Sequence, residues 1–214
     1  MSNLAAVRRL GLGLLGSALL AGCSAGESSV TLQGRIRPPS AEGLTQPAAL
    51  PALKGSPLTV SNLAGTLGKT DAATVNDAEG NFSFAVRTDT LPAGGEWVKV
   101  AWRHPSRGGI LLSRTFRLNK GQTGTLPAEI TDLSTLAGLA MEAEVQRDAS
   151  RLLDQSGKPR SPLLLESELA AQATGAGGIL GTFQQRFYAY LGGAATAPGA
   201  DSDLAQDAGE LLFP

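Results

Sequence analysis

The 214-residue sequence has one cysteine and one histidine. A single cysteine excludes an intramolecular disulfide and any cysteine-rich zinc site, and a single histidine excludes a multi-histidine metal centre. Charged residues make up 17% of the chain, below the roughly 25% usual for a soluble domain, and aromatic residues only 5%. The net charge of −1 lacks the basic excess of a dedicated nucleic-acid binder, so no nucleic-acid partner is expected. No cofactor signature stands out either. Glycine is above average, with 27 residues. The length suits one or two domains with enough chain for a core.

Residues 1–22 read as a targeting segment. Arg8 and Arg9 supply a positive start, and Leu10 to Leu20 an uncharged apolar stretch. That stretch is shorter than the roughly 20 apolar residues a membrane-spanning helix needs. It ends in Leu20-Ala21-Gly22-Cys23. A large aliphatic residue, two small residues and a cysteine in this place resemble the lipobox of bacterial lipoproteins. The resemblance implies a diacylglycerol on the Cys23 thiol, cleavage just before it, and Cys23 as the first residue of the mature chain. Residues 23–29 would be a lipidated tether. Two or three acyl chains anchor stably where one binds reversibly. The mature chain would carry a side-chain balance of −3, so the lipid and not a basic patch would provide the membrane attachment. Ser24 follows Cys23 where Asp favours inner-membrane retention, so the resemblance implies the outer membrane in a two-membrane host.

Residues 30–130 show the period-2 pattern of half-buried strands. Val30, Leu32 and Ile36 alternate loosely with polar residues, and five prolines between Pro38 and Pro57 then mark a long loop. Leu58 to Leu63, Ala73 to Val75, Asn81 to Arg87, Trp97 to Trp102 and Ile110 to Leu118 follow, separated by Gly-containing turns. Phe82, Phe84 and Val86 share one face of their strand. Val98, Val100 and Trp102 face one way on theirs, and Trp97, Lys99 and Ala101 the other. The expected fold class is α+β: an N-terminal antiparallel β-sandwich followed by an α-helical C-terminal segment.

The string Asp77-Ala78-Glu79-Gly80-Asn81-Phe82-Ser83-Phe84, followed by Gly95-Glu96-Trp97-Val98-Lys99-Val100, resembles the carboxypeptidase regulatory-like, or transthyretin-like (prealbumin-like), β-sandwich. The resemblance spans about residues 28–127, with Trp97 in a position commonly held by Tyr. The Pro-rich insert departs from the short first loop of that family. The resemblance implies a noncatalytic module of the kind appended to exported proteins.

Residues 131–214 change to a helical period. Asp132 is placed to cap a helix carrying Leu133, Leu136, Ala137, Ala140 and Met141. Leu163 to Ala173 suit a second helix. Ile179, Phe183, Phe187, Tyr190 and Leu191 form the stripe of a third, with Tyr188 off the stripe as a candidate for exposure. Residues 194–203 read as loose, and Leu211 to Phe213 as an apolar end that folds back. Residues 23–130 hold 11 basic and 8 acidic side chains, and residues 131–214 hold 5 and 11, so charge can bias the two halves towards each other.

Chemical motifs are sparse. Gly65 to Thr70 ends like a phosphate-binding loop, but Leu63 stands where the first Gly belongs. Asp77 to Asn81 lacks the further ligands of a calcium loop and reads as a turn. His104 is the one available imidazole base, and no G-x-S-x-G elbow accompanies it. The Glu142/Glu144 and Glu166/Glu168 pairs are two residues apart and point away from each other on a helix. The expected protein is a noncatalytic cell-envelope lipoprotein acting as a binding or scaffolding module, with an envelope protein or glycan as possible partner. The alternative is a small-ligand or carbohydrate site at Trp97, Trp102, Arg103, His104 and Arg107, favoured by an exposed Trp face and disfavoured by two buried tryptophans.

Overall fold

A computed structural model describes residues 27–63, 70–172 and 178–214. Cys23 and most of the Gly65–Thr70 turn lie outside the described residues. Strands β1 (Ser29–Arg35), β2 (Pro57–Asn62), β3 (Thr70–Thr74), β4 (Asn81–Arg87), β5 (Glu96–Arg103), β6 (Ile110–Leu118) and β7 (Gly124–Pro127) precede the helices. These are α1 (Asp132–Asp148), α2 (Pro162–Gln172), α3 (Ile179–Leu191) and α4 (Ser202–Leu212). The class is α+β.

One sheet runs β4-β1-β7 and the other β3-β2-β5-β6. Their apolar faces meet: Val30, Leu32, Phe82 and Val86 from the first are buried with Leu58, Val60, Val98 and Val100 from the second. The result is an Ig-like, or prealbumin-like, sandwich with one departure from the antiparallel expectation. β7 runs parallel to β1, pairing Val30 with Gly124 and Leu32 with Leu126. The two ends of the sandwich are distinct. The start of β1 lies beside Thr88, whose N–H donates to the Ser28 carbonyl, and Gly121 donates to the Thr88 carbonyl. The β5–β6 hairpin, His104 to Gly109, forms the opposite end.

The helices cover the outer face of the second sheet, so β5 is buried on both faces rather than one. On α1, the Ser134 hydroxyl donates to the Ser113 carbonyl and the Thr135 hydroxyl accepts from the Ser113 N–H, at 2.7 and 2.8 Å. Lys99 is buried and paired with Glu142 of α1 at 2.5 Å. Arg114 of β6 meets Glu166 of α2 at 2.9 Å. These are the contacts through which the basic half meets the acidic half. Burial pushes the Glu166 carboxyl above its ordinary range, with the positive charge of Arg114 opposing the shift. The hydrophobic core is one continuous cluster spanning sandwich and helices.

Four local expectations are corrected. The cap of α1 is Thr131, one residue earlier than Asp132. Its side chain accepts from the Ser134 N–H while Ser134 Oγ accepts from the Thr131 N–H, a reciprocal capping box. Phe84 is only half-buried, at the margin of the core, whereas Phe82 is 1% exposed. Tyr188 is buried because the Pro-rich loop packs over it, and its hydroxyl donates to the Pro39 carbonyl at 2.9 Å. The loose stretch ends at Asp201, which caps α4 by accepting from the Asp203 and Leu204 N–H groups. Leu204, Ala208 and Leu212 then form the buried stripe of that helix.

Candidate functional site

The sequence-derived candidates fall at two places along β5. Trp97 lies near its start and Trp102 near its end, five residues apart and so about 16 Å along the strand on opposite faces. Trp102, Arg103, His104 and Arg107 come together at the hairpin end. Trp97 does not join them. It is 9% exposed, and the Arg117 guanidinium lies 5.0 Å from its ring centre.

At the hairpin, strand pairing shifts between Trp102 and Arg103, and Gly108 adopts φ +72° to close the turn. His104 accepts from the backbone N–H groups of Ser106 and Arg107 through Nδ1, both at 3.2 Å. Accepting at Nδ1 favours the neutral ring with its proton on Nε2. Burial pulls the His104 pKa below its ordinary value, and the positive charge of Arg107 adds to the effect. The ring meets Tyr190 edge-on at 6.0 Å.

Arg107 reaches across to α3. Its guanidinium lies 3.8 Å over the Tyr190 ring and donates to the carbonyls of Tyr190 and Ala194. It therefore caps the negative end of α3 as well as stacking on its last aromatic ring. Arg103 donates to Thr59 Oγ1 at 3.1 Å and to the Gly108 carbonyl at 2.7 Å. A Cβ at Gly109 would collide with the Tyr190 hydroxyl and Ala197, so glycine is what lets hairpin and helix touch. Trp102 is fully buried, 6.4 Å from the ring of Phe187, and its indole N–H has no hydrogen-bond partner among the described residues.

The side chains at this end are thus directed inward. Their chemistry is that of a clasp joining hairpin to α3, and neither tryptophan offers an open stacking face. Tyr190 is the residue that sequence reasoning undervalued here. It is 3% exposed and serves Arg107, His104 and Gly109 together. The available signal was its place on the apolar stripe, one residue before its end.

The Asp77 carboxylate is likewise used locally. It accepts from the Asn81 N–H and side-chain amide, both at 2.9 Å, which holds its pKa below the usual value. The reading of Asp77–Asn81 as a turn agrees with this geometry. Among the described residues no group of three His, Cys, Asp or Glu side chains is placed to hold a metal ion. Among them, too, no helix is long and apolar enough to cross a membrane.

No family model and no curated protein matches the sequence. Among solved structures, similar chains include a DUF3823 family protein from Parabacteroides merdae, at 17% identity and TM-score 0.28, covering 50% of this chain and 47% of that one. The minor pilin GBS52 of Streptococcus agalactiae is similar at 11% identity and TM-score 0.28, over 49% of this chain and 45% of that one. The shaft pilin SpaA from Lactobacillus rhamnosus GG is similar at 11% and 0.30, over 50% and 51%. The chain therefore spans about half the length of each. Likeness at this level carries no argument about what the chain does or which fold family it belongs to.

Proposed function

We propose that this chain is a lipid-anchored scaffold of the bacterial cell envelope, held at a membrane through Cys23 and acting through noncatalytic binding. The observation that carries the reading is Leu20-Ala21-Gly22-Cys23 at the end of an uncharged apolar stretch, with the only cysteine of the chain at the position the lipidation chemistry requires. The sandwich motifs around Asp77–Phe84 and Gly95–Val100 support it through their resemblance to the noncatalytic carboxypeptidase regulatory-like module. The start of β1 at Ser29 adds that a folded body begins six residues beyond the proposed anchor. Fully extended, six residues reach about 20 Å, so the body would be held close to the bilayer. By the lipobox resemblance, with Ser24 after Cys23, the location is the outer membrane in a two-membrane host, and the proposed partner is an envelope protein or glycan.

The small-ligand or carbohydrate alternative has less support, because Trp102 has no exposed surface and Arg103, His104 and Arg107 are engaged within the chain. The test of the main reading is Cys23→Ser in the native host. The variant is expected to stay as uncleaved precursor and to lose labelling by a palmitate analogue. Normal labelling of the variant would overturn the reading. Density-gradient fractionation then checks sorting, and recovery mainly in the inner membrane would reject the outer-membrane assignment.

A further inference from the structure

Among the described residues, the exposed large hydrophobic side chains are Leu50, Leu153, Leu163 and Leu164. Three of the four belong to one segment, the connection from α1 into the first turn of α2, where Leu163 is 60% and Leu164 50% exposed. Leu153 pairs with Pro159 in an isolated bridge, and Pro159 and Leu163 line a groove of about 310 Å³ together with Phe116, Arg117 and Leu126. Apolar side chains left in water in this number on one short segment ask for an occupant.

Position in the fold supplies one. Leu126 is the register partner of Leu32, three residues from Ser29. At about 3.3 Å per residue along β1 and about 4.8 Å between strands, the groove begins roughly 10–15 Å from the start of β1. The chain between Cys23 and Ser29 reaches at most about 20 Å. The leucine segment therefore lies within reach of a bilayer that holds Cys23, whereas the hairpin clasp occupies the far end of the sandwich. Exposed charges of both signs accompany it: Asp154 and Lys158 lie in the same connection, and Lys120 sits in the loop that bonds to Thr88 beside Ser28. Exposed leucines within reach of an acyl anchor suit a surface whose apolar side chains rest in the headgroup region.

We propose that the α1–α2 connection, through Leu153, Leu163 and Leu164, is the face that lies on the membrane, so that the lipid anchor and this patch together fix the orientation of the body. The hairpin clasp and α3 are then presented away from the bilayer. This inference rests on the lipid-anchor reading of Cys23.

The test uses the full lipidated protein in vesicles of phosphatidylethanolamine with a minority of phosphatidylglycerol. With Cys23 acylated, a cysteine introduced by Leu163→Cys, by Leu164→Cys or, at the far end, by Ser106→Cys is the single thiol for an environment-sensitive fluorophore. The labels at 163 and 164 are expected to shift to the blue and to be quenched several-fold more by spin-labelled lipid than the label at 106. Flotation with the vesicles but equal quenching at all three positions would overturn the membrane-facing assignment and leave the anchor standing. That is also the result if the patch serves a protein partner. Failure to float, with no lipid on Cys23, would overturn the anchor reading and this inference together. All three positions are exposed, so the labelled proteins should fold, and circular dichroism verifies this.

Discussion

Replacing Phe187 by Ala tests whether sandwich and helices are one cooperative unit. Phe187 is fully buried, with ring centres at 6.4 Å from Trp102, 6.5 Å from Phe183 and 5.3 Å from Tyr188. Truncating a buried Phe costs about 3–5 kcal/mol. Three aromatic contacts, each worth about 0.5–1.5 kcal/mol beyond area, place this site in the upper part of that range. For a chain of this size the melting temperature should fall by roughly 8–20 °C. The assay is urea denaturation followed in parallel by far-ultraviolet circular dichroism and tryptophan fluorescence. Trp102 is on the sandwich and Phe187 on α3, so both signals should move together to the same lower midpoint. A loss under about 1 kcal/mol would refute the packing. A displaced helical signal with an unmoved tryptophan signal would refute the shared core.

Three further outcomes are expected. Phe82→Ala should cost about 3–5 kcal/mol and Phe84→Ala clearly less, because the second side chain keeps partial contact with water; equal losses in chemical denaturation would contradict the assigned burial. The His104 pKa is depressed in the fold, so its contribution is present above its ordinary value of 6.5 and is lost as pH falls through the folded value. Acidification below pH 6.5 should loosen the clasp on α3, read as increased proteolysis near the hairpin, and His104→Asn should remove that dependence. Glu166 is shifted the opposite way: its raised pKa makes stability fall as pH rises from its ordinary 4.5 through the folded value, and Glu166→Gln should flatten the denaturation midpoint across that window.

The strands were legible because burial in a sheet imposes period 2, as in Asn81–Arg87, where Phe82 and Val86 point into the core. The third helical stripe was legible for the same reason at period 3.6, and Ile179, Phe183, Phe187 and Tyr190 are all buried. What escaped depends on contacts distant in sequence. Nothing local says that Tyr188 meets Pro39, 149 residues away, or that Lys99 is sealed beneath α1 with Glu142. Helix α4 opens on polar residues after a Gly/Pro-rich stretch, and its stripe of one residue in four includes Ala208, which carries little hydrophobic signal. At the candidate site, residue types suggested an open small-ligand or carbohydrate site. Two donors on His104 and the reach of Arg107 to α3 make it a clasp instead. Residue types do not distinguish these outcomes, since a guanidinium binds a helix end by the same hydrogen bonds that would bind a ligand.

Lipidation of Cys23 can be read by mass spectrometry of the protein extracted in detergent from native membranes. The expected mature chain begins at Cys23, lacks residues 1–22 and carries a thioether-linked diacylglycerol on its first residue. A chain that begins elsewhere, or that carries Cys23 as a free thiol, would contradict it.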